Sequence, residues 1–271
     1  MISFVGAGPG AADLITLRGA ERLSGADVVV WASSLVPEAL LAHCKDGAAV
    51  HDSATMTLED VLAVYSAHPE PVPIVRLHSG DPGIYGAIGE QIDWCVEHGR
   101  SWEIVPGVSS VSAASAVLGR ELTQPGVAQS VVLTRLSGRT SGSVPAGGGG
   151  PGEFARFGPT MGIFLSGARP DELQQELLAP GSAYGSDTPA AVVVRATWPD
   201  ERVVLTTVGD LARSMQEIGA TLTVLVVVGE ALADRPVARR SHLYDPRYTT
   251  TFRLRSEPGQ TAGRPSRRAG G

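Results

Sequence analysis

The sequence predicts an α/β protein of two domains, with a parallel sheet in the first half and a mixed sheet in the second. Three observations carry that expectation. The chain has 271 residues, more than a single compact core usually organises. Short β-branched runs alternate with Ala-, Leu- and Glu-rich stretches through the first half. The second half holds more strand-like runs and fewer helical ones, so it does not read as a repeat of the first.

In the first half, strands are expected at residues 2–5, 27–31, 73–77 and 102–105. Helices are expected at 17–23, 37–42, 58–67, 86–97 and 109–118, most of them bounded by Gly, Pro, Ser or Asp. Strands separated by helices pair in parallel, because each helix carries the chain back across the sheet. The second half predicts strands at 130–134, 162–165, 190–196, 202–207 and 222–228, with helices at 171–178 and 210–218. The domains are placed at 1–122 and 123–252, with their junction near 119–129. Residues 141–152, dominated by Gly, Ser and Pro, can bury almost nothing and read as a flexible surface loop. Residues 253–271, Gly-, Pro- and Arg-rich from 258 onward, read as a disordered tail.

Composition narrows the function. An apolar fraction of 43% with 18% charged residues is that of a globular chain. A net charge of −6 supplies no field to gather nucleic acid or to hold the protein on an anionic membrane. Lys45 is the only lysine among 22 cationic residues, so a site for a polycarboxylate would be built from arginines, whose planar forks pair bidentately with carboxylates. Cys44 and Cys95 stand far apart with no Cys-x-x-Cys partner or metal-like His spacing, so two buried thiols are expected, and neither a disulfide framework nor a metal site. Met1 leads directly into a strand with no basic segment before it, and no apolar run approaches the roughly 20 residues that span a bilayer. A cytoplasmic protein with no membrane partner is expected.

Val5-Gly6-Ala7-Gly8-Pro9-Gly10 directly follows the first strand, where an α/β protein places a ligand loop. It is a poor dinucleotide fingerprint. Pro9 removes a backbone donor, and Trp31-Ala32-Ser33-Ser34 stand where a ribose-binding acid would end the second strand. Lys45 belongs to no phosphate loop, and there is no G-x-S-x-G turn. Taken alone, the loop reads equally well as a tight structural turn.

Its continuation through Asp13-Leu14-Ile15-Thr16-Leu17-Arg18-Gly19 completes a pattern that resembles the opening of the tetrapyrrole (corrin/porphyrin) methylases. Further stretches resemble that family in order: Arg76-Leu77-His78-Ser79-Gly80-Asp81-Pro82, Val105-Pro106-Gly107-Val108-Ser109-Ser110, Met161 to Ser166, and Pro189 to Pro199 followed by Thr223 to Gly229. Ala32 to Val36, Ser53 to Leu58, Gly86 to Gln91, Glu121 to Pro125, Thr134-Arg135, Gly138-Arg139-Thr140 and Ser241 to Tyr244 resemble the branch that methylates carbon 11 of precorrin-4. The departures are Ala11 where Asp is frequent, Gly83 where Ser or Ala is usual, and glycines after Thr140.

The resemblance implies a two-domain fold with the active cleft between the domains, a homodimer, a corrin-precursor substrate and S-adenosyl-L-methionine, leaving as S-adenosyl-L-homocysteine. It implies that Gly8, Pro9, Gly80, Asp81, Ile84, Ser109, Ser110, Leu165, Ala196 and Thr223 surround the cofactor. A ring carbon would attack the methyl group in line, favoured by a water-poor cleft as the sulfur charge disperses. Orientation then supplies much of the catalysis. A proton must afterwards leave the ring system, and Asp81 and Tyr85 are the candidate bases by position. Arg76, Arg135 and Arg139 are candidates for the substrate carboxylates, although an ordinary ion pair accounts for each equally well. His78 titrates in a useful range, yet a histidine beside a glycine turn reads as structural. The alternatives are another methylase of the same family and a non-catalytic ligand-binding member of the fold.

Overall fold

The computed structural model describes residues 1–136, 149–234, 241–257 and 259. The first sheet contains β1 (Ile2–Gly6), β2 (Val28–Trp31), β3 (Ala49–Asp52), β4 (Ile74–His78) and β5 (Trp102–Val105), in the order β3-β2-β4-β1-β5. Every pairing in it is parallel. Side chains alternate between its faces. Val5, Val29, Val75 and Leu77 pack with Leu23 of α1 (Leu17–Gly25), while Phe4, Val28, Val30 and Ile74 pack with Val61 and Tyr65 of α2 (Leu58–Ala67) and Cys95 of α3 (Gly89–Glu97). Burial on both faces is why these strands read as continuous apolar runs.

The second sheet contains β6 (Val131–Arg135), β7 (Thr160–Phe164), β8 (Pro189–Val194), β9 (Arg202–Thr207) and β10 (Val224–Val228), in the order β6-β7-β10-β8-β9. It is mixed, because β6 runs parallel to β7 while the other three pairings are antiparallel. One face packs on α5 (Pro151–Ala155), α6 (Pro170–Leu177) and α7 (Leu211–Ile218) through Ala155, Leu173, Leu177, Leu211 and Met215. The other face packs on α4 (Ser110–Leu118), whose Val111, Ala113 and Ala114 share a core with Ala191, Val193, Leu225 and Val227. Thus α4, which leaves the first sheet through β5, is buried against the second.

Several expectations need correction. β3 was not anticipated: Val50 is exposed at this sheet edge, so the strand lacks a buried apolar run. The helix expected at 37–42 is a 3-10 helix, Glu38–His43. α3 begins at Gly89 rather than 86, because Tyr85 (φ 56°) and Ala87 (φ 49°) have left-handed backbones that no right-handed helix accommodates. Of the loop expected at 141–152, residues 141–148 lie outside the described residues, whereas Pro151 is buried and opens α5. Of the expected tail, 253–257 are described, and Arg253 is tied by hydrogen bonds to the Asp245 and Tyr248 carbonyls. Cys95 is buried, but Cys44 is partly exposed. Among the described residues no helix is long and apolar enough to cross a membrane.

Candidate active site

The three N-terminal motifs lie on neighbouring strands, since β4, β1 and β5 are adjacent and release their loops at the same edge. Gly8 and Gly80 exchange backbone hydrogen bonds of 3.2 and 2.8 Å. Both have left-handed backbones, φ 80° and 66°. The approach continues into the third loop. A Cβ on Gly6 would stand 2.5 Å from Gly107 Cα, and one on Gly107 would stand 2.2 Å from the Gly80 carbonyl oxygen. Backbone contact, rather than turn geometry alone, therefore requires glycine at these two positions.

Asp81 ties the loops together: its Oδ1 accepts from Gly83 N at 2.8 Å and its Oδ2 from Gly107 N at 2.9 Å. Ile84 N closes the same turn on the Asp81 carbonyl at 3.1 Å. Ser109 accepts from Val111 N at 3.4 Å as the N-cap of α4, and the Ser110 N lies 3.7 Å from where a Gly80 Cβ would stand.

The second sheet supplies the opposite wall. Arg135 pairs with Phe164, and Val194 pairs with Val224, so β6, β7 and β8 end, and β10 begins, along one edge. On that edge Leu165 (φ 53°), Arg195 (φ 51°), Thr197 (φ 68°) and Thr223 (φ 53°) all adopt left-handed backbones without being glycine. Each costs about 1–2 kcal/mol, and strain of this kind concentrates where a ligand is held. Packing does not explain it at Leu165, whose side chain is 61% exposed. Arg195 N donates to the Thr223 carbonyl at 2.9 Å, which places Ala196 beside the start of β10. Behind Leu165, the fully buried Ser166 hydroxyl has no hydrogen-bond partner.

Among the described residues, three contacts join the walls. The Tyr85 ring lies 4.9 Å from that of Phe164 at 53°. Ala11 N donates to Thr197 Oγ1 at 2.9 Å, and Trp198 Nε1 donates to the Pro9 carbonyl at 2.9 Å. The residues expected around the cofactor thereby stand on two loop edges that touch.

Charge and protonation depart further from expectation. Arg76 donates to Ser53 Oγ at 2.9 Å and to the Val30 and Leu77 carbonyls at 3.4 and 3.3 Å. Its Nε has no partner, and burial pushes its pKa below the ordinary guanidinium value. His78, buried beside it, is pushed down to about 3, chiefly by desolvation and secondly by the Arg76 charge, so the imidazole is neutral. Arg135 ends β6 close enough to Tyr85 for its charge to be felt there, yet burial dominates and raises the Tyr85 phenol above its usual value. Arg139 lies outside the described residues.

Asp81 and Tyr85, the candidate bases, both stand on the loop that leaves β4. Both Asp81 oxygens are engaged by backbone donors, and the Tyr85 phenol holds its proton more firmly than a free one. Gly6, Gly107, Phe164, Thr197 and Trp198 complete these contacts. Gly6 and Gly107 stand inside the motifs, but their closeness across 101 positions has no local sequence signal.

The family model described as Tetrapyrrole (Corrin/Porphyrin) Methylases matches residues 1–212. A precorrin-4 C(11)-methyltransferase of Sinorhizobium sp is 44% identical over 257 residues, covering 94% of this chain and 99% of that protein. A cobalt-precorrin-4 C(11)-methyltransferase of Methanocaldococcus jannaschii is 42% identical, covering 93% and 95%. The X-ray structure of a cobalt precorrin-4 methyltransferase, described as a cobalamin biosynthetic enzyme, superposes with a TM-score of 0.80 at 42% identity, covering 86% of this chain and 95% of that one. A uroporphyrin-III C-methyl transferase from Thermus thermophilus, solved in complex with S-adenyl homocysteine, superposes with a TM-score of 0.67 at 31% identity, covering 85% and 92%. With its glycine crossing, its strained opposite wall and these likenesses along most of its length, the chain belongs to the tetrapyrrole (corrin/porphyrin) methylases.

Proposed function

We propose that this chain is an S-adenosylmethionine-dependent methyltransferase that methylates carbon 11 of precorrin-4, or of its cobalt-bearing form, to give precorrin-5 in cobalamin biosynthesis. The observation that carries the substrate is the gradient of likeness within the family: 44% identity to a C(11)-methyltransferase against 32% to a uroporphyrinogen-III C-methyltransferase.

The residues suit a sulfonium cofactor. The glycine crossing would receive a Cβ only by clashing, so its wall is main chain, and the buried Ser166 hydroxyl without a partner adds a polar atom behind the other wall. Gly8, Pro9, Gly80, Asp81, Ile84, Ser109 and Ser110 would hold the cofactor from one side, and Leu165, Ala196 and Thr223 from the other. S-adenosylmethionine supplies an activated methyl group on a positively charged sulfur. The chain contributes orientation and exclusion of water, which favour a step in which charge disperses.

Asp81 organises the loops by holding the Gly83 and Gly107 N–H groups, and Tyr85 with Phe164 forms an apolar side wall. Arg76 forms no ion pair among the described residues and is a substantially buried cation in the middle of β4. A substrate carboxylate would supply the missing counter-charge, with Arg135 as a second anchor. We place the active form, a homodimer, in the cytoplasm; sedimentation as a monomer alone would overturn the dimer.

The function is tested by incubating the protein with methyl-labelled S-adenosylmethionine and precorrin-4 in cobalt-free and cobalt-loaded forms. Label at carbon 11, located by mass spectrometry and NMR, is expected. Cofactor binding without methylation of either form, or label at another carbon, would remove the substrate assignment.

A further inference from the structure

We infer that Trp198 is a positioning residue for the cofactor, whose indole N–H fixes the Pro9 carbonyl and so locks the glycine loop to the opposite wall of the cleft. This rests on the cofactor reading above and adds to it a residue from the turn between β8 and β9.

That turn is braced from within. Trp198 N donates to the Arg195 carbonyl at 3.0 Å, Glu201 N to the Trp198 carbonyl at 3.1 Å, and Thr197 N to Glu201 Oε2 at 2.6 Å. The Arg195 guanidinium lies over the Trp198 ring, 3.8 Å from its centroid, while its Nε donates to Asp200 Oδ1 at 2.7 Å. These contacts support the left-handed backbones of Arg195 and Thr197, and through them set the direction of the indole.

The turn meets the glycine loop on both sides of Gly10. On one side Trp198 Nε1 donates to the Pro9 carbonyl at 2.9 Å, and on the other Thr197 Oγ1 accepts from Ala11 N at 2.9 Å. Between them, a Cβ on Gly10 would stand 2.2 Å from Trp198 Cδ1 and 2.8 Å from the Ala196 carbonyl oxygen. Gly10 is absent from the glycines with left-handed φ, so its small size answers to the indole rather than to the turn. Pro9 has no N–H, which leaves its carbonyl as the group by which the loop can be held at that residue. A ligand that spans both walls binds best when their separation is fixed beforehand.

Trp198→Phe keeps an aromatic ring against Gly10 and Arg195 but removes the N–H donor. Calorimetric titration with S-adenosylhomocysteine should show its Kd raised about five- to tenfold, the equivalent of one hydrogen bond. With precorrin-4 as acceptor, the KM for S-adenosylmethionine should rise by a similar factor while kcat changes less than about twofold. The melting temperature of the ligand-free protein should be nearly unchanged. Thr197→Ala, which removes the second contact, should weaken binding in the same direction and serves as the test if Trp198→Phe does not fold. Unchanged Kd in a folded variant, or a loss confined to kcat, would overturn the role of Trp198. Failure of the wild-type chain to bind S-adenosylhomocysteine would instead overturn the cofactor reading, a result visible before any variant is made.

Discussion

The two walls of the cleft solve the same problem by opposite means. On the first sheet, Gly6 and Gly107 let the loops touch backbone to backbone beside the Gly80 carbonyl, and the Asp81 carboxylate ties them together. On the second, Leu165, Arg195, Thr197 and Thr223 hold left-handed conformations that glycine would adopt more cheaply. The difference separates space from function. Glycine is compulsory at Gly6 and Gly107 because there is no room for a Cβ, whereas the strained backbone at Leu165 carries a largely exposed side chain.

The sharpest way to break this comparison is to put a methyl group into the crossing. Gly107→Ala should cost about 3 kcal/mol or more of stability, because its Cβ would lie 2.2 Å from the Gly80 oxygen and backbone would have to move. Urea unfolding checks this; a loss under about 1 kcal/mol would mean that the loops are not rigidly crossed.

His78, sealed into the same wall, makes a pH-dependent contribution. The folded chain keeps it neutral down to about pH 3, while the unfolded histidine titrates near 6.5. Below that value the unfolded chain binds the extra proton, so stability is complete above about pH 6.5 and falls as the solution is acidified, by up to about 1.4 kcal/mol per pH unit. His78→Leu should flatten the fall in unfolding free energy between about pH 6.5 and 5. A variant that loses stability on acidification as steeply as the wild type would show that His78 titrates freely in the folded chain.

The smallest effect is expected on the second wall. Leu165→Gly should leave stability unchanged or raise it by up to about 1 kcal/mol, since relief of the left-handed backbone outweighs glycine's entropy and the side chain is largely exposed. Affinity for S-adenosylhomocysteine should nevertheless fall several-fold. Unfolding midpoints and calorimetry on the same preparation separate the two, and a destabilised protein with undiminished affinity would reverse the interpretation.

The same contrast explains what was readable in the sequence. Buried β-branched runs marked the strands of both sheets to within a residue or two, and the parallel and mixed characters followed from the spacing of helices between them. The exposed edge strand β3 gave no such signal. Of the residues proposed to hold the cofactor, Gly8 and Gly80 stand in readable motifs, and Leu165, Ala196 and Thr223 are named only through family resemblance. Trp198 and Phe164 were not readable at all, because their partners, Pro9 and Tyr85, belong to loops on the other sheet. For Asp81, only the tertiary structure brings Gly107 N to its second oxygen.

The measurement that bears most directly on this account is a crystal structure of the protein with S-adenosylhomocysteine. The account predicts one ligand in the cleft, touching the main chain around Gly8 and Gly80 on one side and Leu165, Ala196 and Thr223 on the other. A ligand bound to one wall alone, or away from the glycine crossing, would contradict it.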